Sequence, residues 1–391
     1  MQKQNLVEDI VSDLSKKNEE PLWLFQQRKN AAHAYTNTPA SSFKYGLTIQ
    51  LDPPIELETI NQAPSTQIQR QIDQRPQGVS FLTLKQAMHH DFFKKRFMSL
   101  VTKDKLALLH EARVDNVLVV HVPQGKVVKE TIKITSNSIE KITFDHLLIM
   151  AEENSSISLF EEINTLNTPY ISKFVEIFAQ KNAIVNYASV QKASKKTVCY
   201  IRKYANTAQN AAVNWFDCFL GGKTTLSESI TFLKETGSHS NNYALFFGDQ
   251  DQQFDLVVNA VHQAEHTQSD LCTRGALEQN AKSIYHGLIK IEKNASNANG
   301  YQKIDTLLLS DDAIANAIPD LKIDNSEVKC SHGASIGKPD QDKLFYLQSR
   351  GFTQHDALRL YIKGFFNNLM NKIDILDIRE HIRESINKKI E

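Results

Sequence analysis

Asn280-Ala281-Lys282-Ser283-Ile284-Tyr285-His286-Gly287-Leu288-Ile289-Lys290-Ile291-Glu292-Lys293-Asn294-Ala295 is a strand-length run between two identical corners. Asparagine tolerates a left-handed backbone, and a small residue beside it fits a tight stacked corner. The same grammar recurs at Asn182-Ala183, Asn210-Ala211 and Asp312-Ala313. Other short strand patterns surround it, at 117–122, 142–144, 146–149, 156–160, 174–178, 185–188, 230–233, 243–247, 255–260 and 306–309. Recurring short strands with small polar corners predict a β-solenoid, and a β-sandwich is the alternative architecture.

Outward from this core the period changes to that of helices. Leu6, Val7, Ile10, Val11 and Leu14 predict a first amphipathic helix. Pro21 suits the first turn of a second, which runs through Trp23, Phe25, Ala31 and Ala32. Residues 37–78 carry Pro53, Pro54, Pro64 and Pro76 and read as an irregular excursion. Helical spacing resumes at Leu82, Leu84, Ala87 and Met88 and continues through Phe92, Phe93, Phe97 and residues 106–110. The reading is a helical N-terminal domain (1–115), a β-core (116–340) and a helical C-terminal domain (341–391). In the last, a helix over 343–349 stops at Gly351, and Thr353 with Asp356 begins the next. Leu358, Ile362, Phe365 and Phe366 line one side of it, and Ile378, Ile382, Ile386 and Ile390 recur on a third helix. Such stripes pack on the β-core or form a partner surface.

The chain has 391 residues, 41% of them hydrophobic, enough for a substantial core. Lys plus Arg and Asp plus Glu each number 45, so net charge is zero and gives no electrostatic case for nucleic acid or a membrane surface. The four cysteines, Cys199, Cys218, Cys272 and Cys330, form no Cys-x-x-Cys and read as free thiols of a reducing compartment. The first residues lack an apolar signal core and contain acids, and no run is long enough to span a membrane. A cytoplasmic location is expected.

Val328-Lys329-Cys330-Ser331-His332-Gly333-Ala334-Ser335-Ile336-Gly337 lies where the β-rich region ends. On a strand, Cys330 and His332 share a face, roughly 6.6 Å apart. A thiol and an imidazole so placed can reach one iron or zinc. Two donors are too few for a closed zinc site, and either residue can instead be ordinary core.

Four linked segments give this stretch its context: 305–311, 319–323, 328–334 and 344–351 (Leu-Phe-Tyr-Leu-Gln-Ser-Arg-Gly). Together they resemble the C-terminal half of the SufB/SufD family of iron–sulfur cluster assembly proteins. Weaker similarity runs through residues 121–125 and back to Pro21-Leu22-Trp23. Cys330-Ser331-His332-Gly333-Ala334 resembles the SufD branch. The SufB branch has a cysteine shortly after the Leu307-Leu308-Leu309 run, and this chain has Ser310-Asp311-Asp312-Ala313. The resemblance implies a right-handed parallel β-helix flanked by helices, in a non-enzymatic scaffold subunit. It implies pairing with a SufB-like subunit through the β-helix end, and a homodimer is compatible with the isolated chain. His332 and Cys330 would contribute to a transient iron or iron–sulfur cluster at that joint, with no cofactor held tightly by the chain alone. Leu358, Ile362, Phe365 and Phe366 would meet a SufC-like ATPase. A β-helix carbohydrate-active enzyme and a purely structural subunit are the competing functions; Trp23 and Trp215, the only tryptophans, weaken the first.

Two motifs suggest other chemistry. His262-Gln263-Ala264-Glu265-His266 matches a zinc-protease pattern that needs a helix, yet its flank, 257–261, reads as strand. Gly221-Gly222-Lys223-Thr224 resembles the end of a P-loop, but Asp217 stands where a glycine is required, and a solenoid corner fits better. The adjacent Asp311 and Asp312 would face opposite ways on a strand and make a poor acid–base couple.

Overall fold

A computed structural model describes residues 2–39, 68–139, 141–373 and 375–390. Most of the proline-rich excursion, 40–67, lies outside the described residues. The chain opens with α1 (Gln2–Asn18) and α2 (Leu22–Asn37), then β1 (Gln69–Ile72), β2 (Ser80–Thr83), α3 (Leu84–Ala87), α4 (Asp91–Arg96) and α5 (Lys105–Arg113). Strands follow without interruption: β3 (Asn116–Val122), β4 (Ile132–Ile139), β5 (Thr143–Ala151), β6 (Ser156–Leu166), β7 (Tyr170–Ala179), β8 (Ile184–Lys192), β9 (Val198–Thr207) and β10 (Ala212–Phe219). Then come β11 (Thr224–Leu233), β12 (His239–Gly248), β13 (Gln253–His262), β14 (Gln268–Leu277), β15 (Lys282–Ile291), β16 (Asn299–Leu308), β17 (Ile314–Ile323) and β18 (Lys329–Gly337). The chain closes with α6 (Gln341–Ser349), α7 (Gln354–Met370) and α8 (Leu376–Ile390).

The strands alternate between two nine-stranded sheets, one of β2 and the odd strands β3–β17, the other of β1 and the even strands β4–β18. Pairing is parallel except where β1 meets β4 and β2 meets β3. This is a parallel β-solenoid, as the corners predict. Ser80–Thr83, read from sequence as the start of a helix, is instead a strand closing the first turn.

The corners work as their chemistry requires. Asn154, Asn182 and Asn210 all have positive φ. Asn182 donates to Asn154 at 2.8 Å and Asn210 to Asn182 at 3.3 Å, so amides stack along the solenoid. Gly237 continues the column, where a Cβ would fall 2.2 Å from Asn210 Oδ1. His266 and Asn297 follow, each left-handed and donating its N–H to the next coil. Ala183 and Ala211, after the left-handed Asn182 and Asn210, are buried, and so are Ala281 and Ala295. At Asn280 the left-handed residue is the preceding Gln279, near Asn294 it is Asn297, and Asp312 is not left-handed, so three of the five corners read from the sequence are displaced or made differently.

Inside, apolar layers are interrupted by charge. Lys173 sits between Asp145 and Glu161, 2.7 Å from each, and Arg70 pairs with Asp145. Farther along, buried Lys203 pairs with Asp217. The N-terminal helices cover the outer face of the odd sheet. Arg28 ties α2 to Glu20 (2.9 Å) and to the Ala112 carbonyl (3.2 Å). Glu176, facing outward from β7, accepts the N–H groups of Met98 and Leu100 and lies 3.1 Å from His146.

On that same outer face, Arg202 pairs with Asp104 at 3.0 Å. Asp255, on β13, has a buried oxygen with no partner. Burial raises its carboxyl to about 6, opposed by Arg202 and assisted by Glu228. The sign follows: its contribution to stability is fully present below about pH 4 and is lost as pH rises through about 6. Asp255→Asn should therefore stabilise the chain at pH 7.5. The ceiling is about 3 kcal/mol, and partial exposure reduces this to roughly 1–2 kcal/mol. At pH 4.5 the advantage should shrink to roughly a third. Urea midpoints of both proteins at the two pH values check this; a pH-independent difference would refute it.

Candidate functional site: the open end of the solenoid

Both sheets end at the same place. β17 is the last strand of the odd sheet and β18 the last of the even one. At the opposite end β1 and β2 add antiparallel strands. At the far end, no described strand pairs with the outer edges of β17 and β18. Where β5 and β7 are buried at every position, β17 has no buried position and β18 is mostly exposed, with Ile314, Ile323 and Ile336 among the exposed apolar side chains. Two parallel edges with unpaired N–H and C=O groups and apolar side chains form a template for another chain.

Cys330 and His332 lie on this last coil. In register, Cys330 opposes Gly300 and His332 opposes Gln302. Gly300 and Gln302 are inward positions of β16, so Cys330 and His332 share the inward face, as the period of two requires. The Cys330 sulfur packs over Gly300, where a Cβ would come within 3.3 Å of it. It is half-buried against the core, and burial pushes its thiol up. Its neighbour His332 is exposed because no coil follows. Among the described residues no three His, Cys, Asp or Glu side chains gather to hold a metal. One thiol and one imidazole on a shared face are donor types that suit a soft metal, and two are too few to close a site.

The other sequence candidates fall differently. Ile362 and Phe366 are 3% and 1% exposed. With Leu369 and Met370 they pack on Phe216, Tyr243, Leu245 and Cys272, the outer face of the even sheet. Leu358 and Phe365 flank the same cluster, and Arg274 stacks over the Phe365 ring at 4.8 Å. Ile362 and Phe366 are therefore covered by the chain's own strands, which removes them from the expected ATPase interface, while Leu358 and Phe365 stay partly exposed. Ile378, Ile382, Ile386 and Ile390 are buried in the same cluster. The exposed large apolar side chains of the C-terminal region are Phe345 (72%), Tyr346 (56%), Phe352, Leu360 and Leu376. No residue of α6 is buried. Sequence reasoning quoted Phe345 and Tyr346 without recognising them as surface; the weak apolar alternation of α6 was the available signal.

The decoy motifs resolve as structure. His262 ends strand β13, fully buried, with ring nitrogens 2.8 Å from the Thr267 and Ser269 hydroxyls. Burial lowers its pKa to about 4. His266 occupies the left-handed corner column, so no helix aligns the pair. At Gly221 a Cβ would lie 2.2 Å from the Ala193 carbonyl oxygen, and Gly222 has φ +86°. The glycines admit a close backbone at a solenoid corner and cradle no phosphate. No helix among the described residues is long and apolar enough to cross a membrane.

Comparison with known proteins agrees with the geometry. Residues 133–365 match the family described as SUF system FeS cluster assembly, SufBD core domain. The Bacillus subtilis iron–sulfur cluster assembly protein SufD is 28% identical, over 98% of both chains. The SufB protein of the same organism is 25% identical, over 75% of this chain and 65% of its own. An iron–sulfur cluster assembly SufBD family protein of Staphylococcus epidermidis is 24% identical, over 92% of this chain and 88% of its own. A parallel solenoid carrying Cys330-Ser331-His332 on its last coil, matched over most of its strands, places the chain in the SufB/SufD family of iron–sulfur cluster assembly proteins, as a SufD-like member.

Proposed function

We propose that the chain is a non-enzymatic scaffold subunit of a SufBCD-type complex in the cytoplasm. The observation that carries this reading is the open solenoid end, with two bare edges and a two-donor half-site on one coil. A SufB-like subunit adds its own edge there, and His332 with Cys330 then faces its donors. Iron or a nascent cluster is cargo at this joint. Few ligands from each side suit a cargo that must leave when the subunits move. The exposed apolar side chains Phe345, Tyr346, Phe352 and Leu360 form the docking surface for the SufC-like ATPase, in place of the buried Ile362 and Phe366. Two copies of the isolated chain can pair through the same end.

The test is co-expression with the neighbouring SufB-like and SufC-like proteins. His332→Ala should leave the complex assembled and lower its bound iron and sulfide by at least about tenfold, the scale seen when groups around a metal site are removed. The Phe345→Ala, Tyr346→Ala double variant should lose the ATPase on gel filtration and keep the SufB-like subunit. Normal iron in the first variant, or normal ATPase in the second, sinks the corresponding part.

A further inference from the structure

One coil beneath His332 the structure keeps an arrangement that costs stability. Gln302 is fully buried, and neither its amide nitrogen nor its amide oxygen has a hydrogen-bond partner. A buried polar group left unpaired costs about 1–3 kcal/mol. The carboxamide reaches across the interior to Gly287 on the opposite sheet, where a Cβ would fall 1.9 Å from the Gln302 nitrogen. A glycine inside a strand is itself unfavourable by roughly 0.5–1 kcal/mol. Gly287 is thus explained by the amide it makes room for, and what remains to be explained is the unpaired amide itself.

The register names the partner they lack. His332 is the direct neighbour of Gln302 on β18, with its side chain on the same inward face. Adjacent strands lie ~4.8 Å apart, so a turn of either side chain brings the groups within bonding reach.

We propose that Gln302 is a positioning residue for His332: its amide oxygen accepts one imidazole N–H and leaves the other ring nitrogen aimed out of the open end. A ring nitrogen that serves as a ligand is generally oriented by a hydrogen bond at its other nitrogen. The orphaned amide is the preset half of that bond. The inference rests on the reading of His332 as a ligand, but its geometry can be tested without any cargo.

The first arm uses the full chain with ¹⁵N-labelled histidine, with the His332 signals identified by their loss in His332→Gln. Long-range ¹H–¹⁵N spectra separate the two neutral ring tautomers. Wild type should show one tautomer at His332. Gln302→Met, of similar size but without the amide, should show a mixture, and Gln302→Glu, which still accepts, should restore one. Urea unfolding of Gln302→Met should be unchanged or shifted upward, because an unpaired polar group has been removed. The second arm measures iron bound to the co-expressed complex: about tenfold less for Gln302→Met, recovered in Gln302→Glu, and no further loss when Gln302→Met is added to His332→Ala. A single His332 tautomer that persists in Gln302→Met overturns the proposal. So does a loss of iron that simply follows lost stability. If His332→Ala leaves iron unchanged, the ligand reading fails, and the tautomer spectra still decide the pair. If His332→Ala removes iron while the spectra ignore residue 302, this inference alone fails.

Discussion

Lys173→Met is expected to destabilise the chain by about 3–5 kcal/mol, the usual cost of stripping one partner from a buried ion pair. Lys173 is 1% exposed and lies 2.7 Å from both Asp145 and Glu161. The remaining bonds are already in use: Arg70 is on Asp145, while the Tyr187 hydroxyl (2.6 Å) and the Ser136 hydroxyl (2.8 Å) are on Glu161. Two cations thus balance two carboxylates, and methionine leaves one negative charge uncompensated within the solenoid. Burial alone would push the Asp145 carboxyl up; Arg70 and Lys173 outweigh it and hold it below its usual range. That contribution is present above the ordinary carboxylate range and fades as pH falls through the depressed native value. Adding Glu161→Gln to Lys173→Met should recover much of the loss, because the charges again balance. Guanidinium midpoints of the two variants decide the matter. A single-variant cost below about 1 kcal/mol would mean that water reaches these groups.

The second large effect is expected at the C-terminal helices. Phe366→Ala should cost about 3–5 kcal/mol, as for other buried Phe truncations, and should loosen α7 and α8 before the solenoid opens. Phe366 sits at the centre of the cluster that joins these helices to β10, β12 and β14. Hydrogen exchange should therefore quicken first in residues 354–390, with strands β5–β9 still protected. Deleting residues 353–391 outright uncovers Phe160, Phe216, Tyr243, Leu245 and Phe247 together, a patch large enough to drive aggregation. A truncated chain that stays monomeric and folded would contradict this account. Paired with the Phe345, Tyr346 variant, the experiment separates two roles. One face of the C-terminal region holds the chain together, and the other is free for a partner.

The corners at Asn182 and Asn210, the start of α7 and the shared face of Cys330 and His332 were legible in the sequence, because each is set by near neighbours. A left-handed asparagine followed by a buried alanine is a two-residue requirement. Thr353 caps α7 by accepting the Asp356 N–H at 3.1 Å, a contact three residues long. Cys330 and His332 share a face because a strand repeats every two residues. Strands β1, β4, β9, β10, β14 and β17 escaped detection; in β9, β10 and β14 the reason is that Lys203, Asp217 and Gly275 occupy inward positions that a binary pattern reads as polar or as a break. Only the tertiary structure decided which neighbours those residues meet. In this solenoid, stacked side chains come from positions 27–31 residues apart. Lys173 thereby finds Asp145, while Gly287 makes room for Gln302 across the interior, from the opposite sheet. The stripe of Leu358, Ile362, Phe365 and Phe366 announced that one face of a helix is covered. Whether its own strands or another protein cover it depends on where the chain turns after Gly351, and helical periodicity carries no information about that.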